Sequence, residues 1–214
     1  MSQNKDMRTH TKETQETMTP EKAFVYLKEG NQRFQNNLKA NRNLLEQVNE
    51  TSEGQFPFAV VLSCIDSRVS AELVFDQGLG DIFSVRIAGN FVNEDILGSM
   101  EFACKIAGSK LIVVLGHSKC GAIKGACDDA KLGNLTALIS KIKPAVEAVK
   151  EPAENRNSTN SEFVEKVSHV NVEMTIANIK EQSPVLKQML DDGEIGIVGG
   201  MYNVDSGHVE LGDL

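Results

Sequence analysis

The sequence predicts an α/β fold: a mainly parallel β-sheet flanked by helices, with a helical arm on its N-terminal side. Three observations carry this. Short apolar runs at 58–63, 82–87, 111–115 and 195–202 fit strands, and those at 58–63 and 111–115 are apolar enough to be covered on both faces. The segments between them have helical spacing, so successive strands are joined by crossovers and run mainly parallel. Two further helical segments precede the first strand, which sets them outside the alternation.

Taken in order, residues 1–18 are polar and patternless and are expected to form a disordered tail, His10 included. One domain is expected over 19–214. Thr19-Pro20-Glu21 is a helix start, with Thr as N-cap and Pro at the first position. Ala23, Phe24, Leu27 and Phe34 continue it to about Asn37, and a weaker helical stretch covers Arg42–Asn49. This arm, about 20–50, carries aromatic residues that need a covering surface from the same chain or from a second subunit. Ala71–Phe75 fits a short helix, and Asp95 is expected to cap a helix carrying Ile96, Met100, Ala103, Cys104 and Ala107. Helices are expected at Cys120–Lys131, Leu135–Val149, Phe163–Glu181 and from Pro184 to Gly193, with a polar loop at Glu154–Ser161 and a short last strand at His208–Leu211.

Composition narrows the function. The 214 residues carry a net charge of −8, which argues against binding a nucleic-acid backbone. No apolar stretch is long enough for a membrane span, and the N-terminus lacks the apolar core of a signal peptide. Four cysteines in a chain this long do not make a disulfide framework. A reduced, cytoplasmic protein is expected, or a periplasmic one if a leader has been removed.

The chemistry gathers where two matched strands end. The run at 58–63 leads into Cys64-Ile-Asp66-Ser-Arg68, and the run at 111–116 leads into His117-Ser-Lys-Cys120-Gly121. Ligands of parallel sheets collect at the carboxyl ends of strands, so both clusters are expected at one sheet edge. Two thiolates and an imidazole are a zinc set, and three protein ligands leave a position for water, the arrangement of a catalytic site. Asp66 has two options: a fourth ligand in a closed site, or a hydrogen-bond acceptor held off the metal by a bidentate pair with Arg68. Cys104 and Cys127 lie on helical patterns without partners and fit small buried hydrophobes. His169 and His208 have no cysteine companions and fit surface or structural positions.

Cys64-Ile-Asp66-Ser67-Arg68 and Gly116-His117-Ser-Lys-Cys120-Gly121 resemble the two signature motifs of the β-class carbonic anhydrases, and the likeness to the plant-like, type I subclass runs over about residues 20–212. It continues through 72–81, Ile82–Ile87, Ala88-Gly-Asn90 and Gly199-Gly-Met-Tyr202. The resemblance implies one zinc ion per chain on Cys64, His117 and Cys120, with Asp66 and Arg68 as catalytic dyad. Gln55 matches a glutamine that hydrogen-bonds substrate, and Phe83 and Ala88 fall where the family lines its CO2 pocket. Phe102 stands where many members have tyrosine. Val69 and Gly121 complete the candidate substrate contacts. The implied activity is reversible hydration of CO2 to bicarbonate and a proton by attack of zinc-bound hydroxide, in a homodimer or homotetramer whose arms wrap a second subunit. Hydrolysis of carbon disulfide or carbonyl sulfide on the same site is the alternative. Allosteric members hold an inhibitory bicarbonate with a tryptophan, an arginine and a tyrosine. Those positions are Val61, Arg86 and Phe102 here, so no such site is expected.

Overall fold

The computed structural model describes residues 8–214. Its sheet contains β1 (Ala59–Ser63), β2 (Ile82–Arg86), β3 (Leu111–His117), β4 (Gly196–Tyr202) and β5 (Val209–Leu211), in the order β2-β1-β3-β4-β5. The first four run parallel and β5 pairs antiparallel with β4. The helices among the described residues are α1 (Lys12–Glu16), α2 (Pro20–Gln35), α3 (Leu44–Glu50), α4 (Ala71–Val74), α5 (Glu94–Glu101), α6 (Gly121–Cys127), α7 (Gly133–Ser140), α8 (Lys143–Ala148), α9 (Ser161–Gln182) and α10 (Pro184–Asp191).

The two central strands are wholly buried because both sheet faces are covered. Alternate side chains serve opposite layers. Ala59, Val61, Leu111 and Val113 pack with Ala23 and Leu27 of α2 and with Val74 of α4. Val60, Leu62, Ile112 and Val114 pack with Met100 of α5, Val172 and Ile179 of α9, and Leu186 of α10. A third cluster, built from α6, α7, α8 and the start of α9, closes around Cys64 and Cys120 at the carboxyl end of the sheet.

The arm lies on its own sheet. Thr19 caps α2 by accepting from the Lys22 N–H, with Pro20 next, as the sequence predicts. The helix approaches so closely that a Cβ on Gly30 would sit 1.8 Å from the Phe75 carbonyl oxygen. Arg33 and Arg42 clamp Asp76 from the arm side at 2.5 and 2.6 Å. The outer surface keeps Leu38, Leu44, Leu45 and Val48 exposed.

Several expectations are corrected. Within the expected disordered tail, residues 1–7 lie outside the described residues, while 8–18 include α1 and are tethered to the fold at His10, Gln15 and Met18. Thr11 forms a capping box with Thr14 at the start of α1. The Gln15 amide donates to the Pro57 and Ala107 carbonyls at 2.9 and 2.8 Å, and Met18 is buried. His10 stacks edge-on against Phe58, with centroids 5.0 Å apart. These tethers are side-chain contacts to distant residues, so no local periodicity announces them. Asn93, not Asp95, caps α5, since its side chain accepts from the Ile96 N–H while Asp95 lies in the first turn. The end of that helix widens into a π-helical turn, Phe102–Ile106. The helix expected at 120–131 stops at Cys127, and Asp129 turns left-handed at φ 52°. The stretch 135–149 is two helices, because Pro144 suits the first turn of α8 but lacks the N–H that would continue α7.

Candidate metal centre

The register of the sheet places the two clusters together. Ser63 pairs with Leu115, so the chain leaves β1 at Cys64 beside the last residues of β3. Cys64, His117 and Cys120 are buried, and their ligand atoms all lie within 4.8 Å of one another. The two sulfurs are 3.9 Å apart. The His117–Cys120 turn is closed by Lys119 in the left-handed region at φ 57°, a conformation disfavoured for a residue with a Cβ. Lys119 is held there by Asp205, 2.7 Å from its Nζ.

The imidazole is already oriented. Its Nδ1 lies 3.0 Å from the Ser118 carbonyl oxygen, so Nδ1 carries the proton and donates to it. Nε2 is left as a lone-pair acceptor, buried and without a hydrogen-bond partner. A buried orphan acceptor is costly unless something satisfies it. With two thiols beside it, that something fits a soft-to-borderline metal ion, and a backbone carbonyl accepting from the other ring nitrogen is how metal-binding histidines are usually fixed.

Cys64 is the thiol that ionises first. Its pKa falls to about 4, chiefly because Cys120 donates to it, against the opposing effect of burial. Cys120 is pushed far up by the same bond and by burial. The Gly89 N–H also points at the Cys64 sulfur, at 3.4 Å. Gly89 has φ 79°, and a Cβ there would lie 2.4 Å from Ile142 Cδ1, so only glycine brings this N–H to the sulfur. Asn171, buried in α9, holds the same loop by donating to the Gly89 carbonyl at 2.8 Å. Cys104 and Cys127 differ sharply. Burial raises them to about 12 and about 11, the values of inert thiols.

At the mouth, Arg68 grips Asp66 with two side-chain bonds of 2.9 and 2.7 Å and a backbone N–H bond of 3.0 Å. The guanidinium holds the Asp66 carboxyl well below the usual carboxylate range. Asp66 Oδ2 stands 4.0 Å from His117 Nε2, beside the ligand cluster but outside hydrogen-bonding distance.

The remaining predicted residues divide. Ala88 adjoins Gly89 and is partly buried, and Gly121 follows Cys120 as the exposed first residue of α6 with open space where a Cβ would be. Val69 is fully buried in the layer beneath α2 and α4, so it offers no surface to a substrate. Phe83 and Phe102 form an edge-to-face pair, 6.3 Å between centroids, in a groove along β2. Gln55 is exposed before the opposite end of β1, near Val48 and Leu79. One chain therefore does not bring Gln55, Phe83 or Phe102 to the cysteines. Two supporting residues were not read as such from the sequence. Arg86 stood out only as the arginine position of an inhibitory-bicarbonate set and left no signal of its bonds to the Cys64 and Asp66 carbonyls. Asn171 left one: a polar residue four after Val167 on the buried stripe of α9.

Together, fold and site define a class: an α/β protein with a Cys–His–Cys metal-type cluster at the carboxyl edge of its sheet, flanked by a carboxylate–guanidinium pair. The carbonic anhydrase family profile matches residues 59–209. Carbonic anhydrase 2 of Mycobacterium tuberculosis is 34% identical over 200 residues, covering 91% of this chain and 93% of that protein. The carbonic anhydrase of Mycolicibacterium smegmatis is 37% identical over 198 residues, with 90% and 93% covered. Among solved structures, the β-carbonic anhydrase CcaA superposes with a TM-score of 0.70 at 27% identity, covering 89% of this chain and 87% of that one. The chain belongs to the carbonic anhydrase family, in its β class. No helix among the described residues is long and apolar enough to cross a membrane.

Proposed function

We propose that this carbonic anhydrase hydrates CO2 at one zinc ion per chain, held by Cys64, His117 and Cys120, with Asp66 and Arg68 as its dyad. The observation that carries the reading is the orphaned His117 Nε2, buried beside two thiols. When bound, zinc supplies the Lewis acidity that makes water a nucleophile near neutral pH. The chain's own residues do the rest. His117 is held in the ligating tautomer by Ser118, and the Gly89 N–H stabilises negative charge on Cys64. Hydration joins a water oxygen to the CO2 carbon and releases one proton. Asp66 Oδ2 is the acceptor that orients the attacking water's remaining hydrogen, and Arg68 keeps that carboxylate ionised and off the metal.

In this reading the pocket is completed by a second copy of the chain. Gln55, Phe83 and Phe102 lie away from the cysteines of their own chain, on surfaces where Val48, Leu79 and Phe102 are exposed. Such a set of exposed apolar side chains fits a covered interface. We place the protein in the plant-like subclass, as a dimer or a multiple of one. Zinc content, stopped-flow CO2 hydration and sedimentation of the purified chain test all three points. One zinc per chain, rapid hydration and a dimer or tetramer are expected. A chain that lacks zinc or does not hydrate CO2 overturns the catalytic reading, and an active monomer overturns the shared pocket.

A further inference from the structure

Cys64 and Asp66 lie on a turn beyond the end of β1, outside the ladder of the sheet. The turn has one side-chain tether from a neighbouring strand. Arg86, the last residue of β2 and the register partner of Ser63, donates from Nε to the Cys64 carbonyl at 3.0 Å and from Nη2 to the Asp66 carbonyl at 2.7 Å. Those carbonyls flank Ile65, whose side chain is exposed. A guanidinium is a rigid planar fork, so two bonds from one group fix the distance and tilt between the two peptide units they reach. The residue bearing the ligand sulfur and the residue bearing the dyad carboxylate are therefore braced against each other. The Asp66 carbonyl also accepts the Val69 N–H, at 2.9 Å.

We infer that Arg86 is a positioning residue for the reaction: it holds the Cys64–Asp66 turn so that the Asp66 carboxylate stays beside the metal instead of on it. The inference rests on the zinc reading above. The geometry makes the restraint matter. Asp66 Oδ2 is 4.0 Å from the ligating nitrogen of His117, so a small rotation of the turn would bring the carboxylate within reach of the ion. Two independent restraints oppose that rotation. Arg68 acts on the carboxylate through side-chain bonds, and Arg86 acts on the main chain that carries it. Removing either releases the same movement. Nε and Nη2 of Arg86 are both committed to this turn.

The test uses the full-length enzyme with Arg86→Ala, Arg86→Lys, Arg68→Ala, Asp66→Asn and the Arg86→Ala/Asp66→Asn double variant. Metal content, steady-state kinetics and the visible spectrum of the cobalt-substituted forms are recorded. Arg86→Ala should keep one metal per chain and lose about 10–100-fold in kcat, the range for losing a group that orients a metal ligand. Its cobalt bands should shift in the same sense as those of Arg68→Ala, reporting a carboxylate on the metal. Arg86→Lys, a single-point donor, should recover part of the loss and serves if the alanine variant does not fold. In the Asp66→Asn background, Arg86→Ala should leave the spectrum unmoved, because the group that would swing is gone. A wild-type spectrum and kcat in Arg86→Ala, or a spectral shift that persists without Asp66, would overturn the positioning role. A wild-type enzyme without zinc or hydration activity would instead overturn the reading beneath it.

Discussion

Two aspartates among the described residues are gripped by arginines, and they differ in burial, in where their partners come from and in what they face. Asp76 is buried, and both its oxygens are used. Oδ2 accepts from Arg33 Nε and the Ala40 N–H, and Oδ1 accepts from Arg42. Its partners come from 43 and 34 residues away, so the cluster ties the arm to the sheet. Asp66 has one partner, two residues on, and is part-exposed. Its Oδ2 takes a single bond from Arg68 and faces the ligand cluster with capacity to spare. The same kind of grip thus serves cohesion where the carboxylate is buried among partners distant in sequence, and in the proposed reading it serves catalysis where a part-exposed Oδ2 with one bond stands beside an unsatisfied imidazole.

The largest effects should come from the ligands at the catalytic end. Cys64→Ser, His117→Ala and Cys120→Ser should each lose zinc and hydration activity while the Asp76 end stays folded. Cys104→Ser and Cys127→Ser should keep both. Metal analysis beside circular dichroism decides this, and full zinc retention in all three ligand variants would sink the assignment.

The two grips can then be broken one at a time. Asp76→Ala removes the buried carboxylate on which Arg33 and Arg42 converge, so a loss of about 3–5 kcal/mol is expected. For a chain of this size that lowers Tm by roughly 10 °C, with activity per folded molecule kept. Arg68→Ala should do the reverse. Its pair is part-exposed and worth little to stability, so Tm should move by about 2 °C or less while kcat falls about 10–100-fold with zinc retained. If the two variants show the same ratio of stability loss to activity loss, the contrast drawn here fails.

Acid offers a second probe of the Asp76 grip. Burial works against ionisation of Asp76, but the bonds from Arg33, Ala40 and Arg42 outweigh it and hold the carboxyl below its ordinary value. A folded pKa below the unfolded one gives stability that is complete above the unfolded value, near 3.9, and is lost as pH falls through and below it. Asp76→Asn should therefore flatten the acid limb of a denaturation profile below about pH 4. An unchanged limb would place the acid sensitivity elsewhere.

The same contrast explains what the sequence disclosed. The Cys64–His117–Cys120 cluster was legible as a possible metal site because its members end two matched apolar runs, Phe58–Ser63 and Leu111–Gly116. The parallel sheet was legible for the same reason, since each of its four parallel strands declares itself in a run of five to eight residues. The Asp76 clamp was not, because Arg33 and Arg42 look like any surface cations until the arm folds back. Residues 8–18 escaped because Gln15 and His10 act through single long-range contacts. Gln55, Phe83 and Phe102 stood out only through resemblance, since nothing in one chain carries them to the cysteines. Asn171 could have been found, as an amide on an otherwise apolar helical stripe.

The smallest effect expected lies at the amino end of the sheet, where His10 covers Phe58 and sits near Asp81. Burial lowers the His10 pKa, and the Asp81 charge only partly restores it. The unfolded chain therefore takes up a proton first as pH falls through about 6.5, and stability declines from there toward the lowered folded value. Asp81 runs the other way. Burial raises its pKa, so between the ordinary and the raised value the folded state holds the extra proton, and stability grows as pH falls. The two partly cancel in the native chain, which is why subtraction is needed. His10→Gln removes the first slope and leaves the second. Between pH 7.5 and 5.5 the variant's Tm should fall less than the native one's, by about 1–2 °C, a size suited to a partly exposed group. Parallel Tm curves for the two proteins would show that the imidazole titrates alike in both states and that its packing on Phe58 carries no charge penalty.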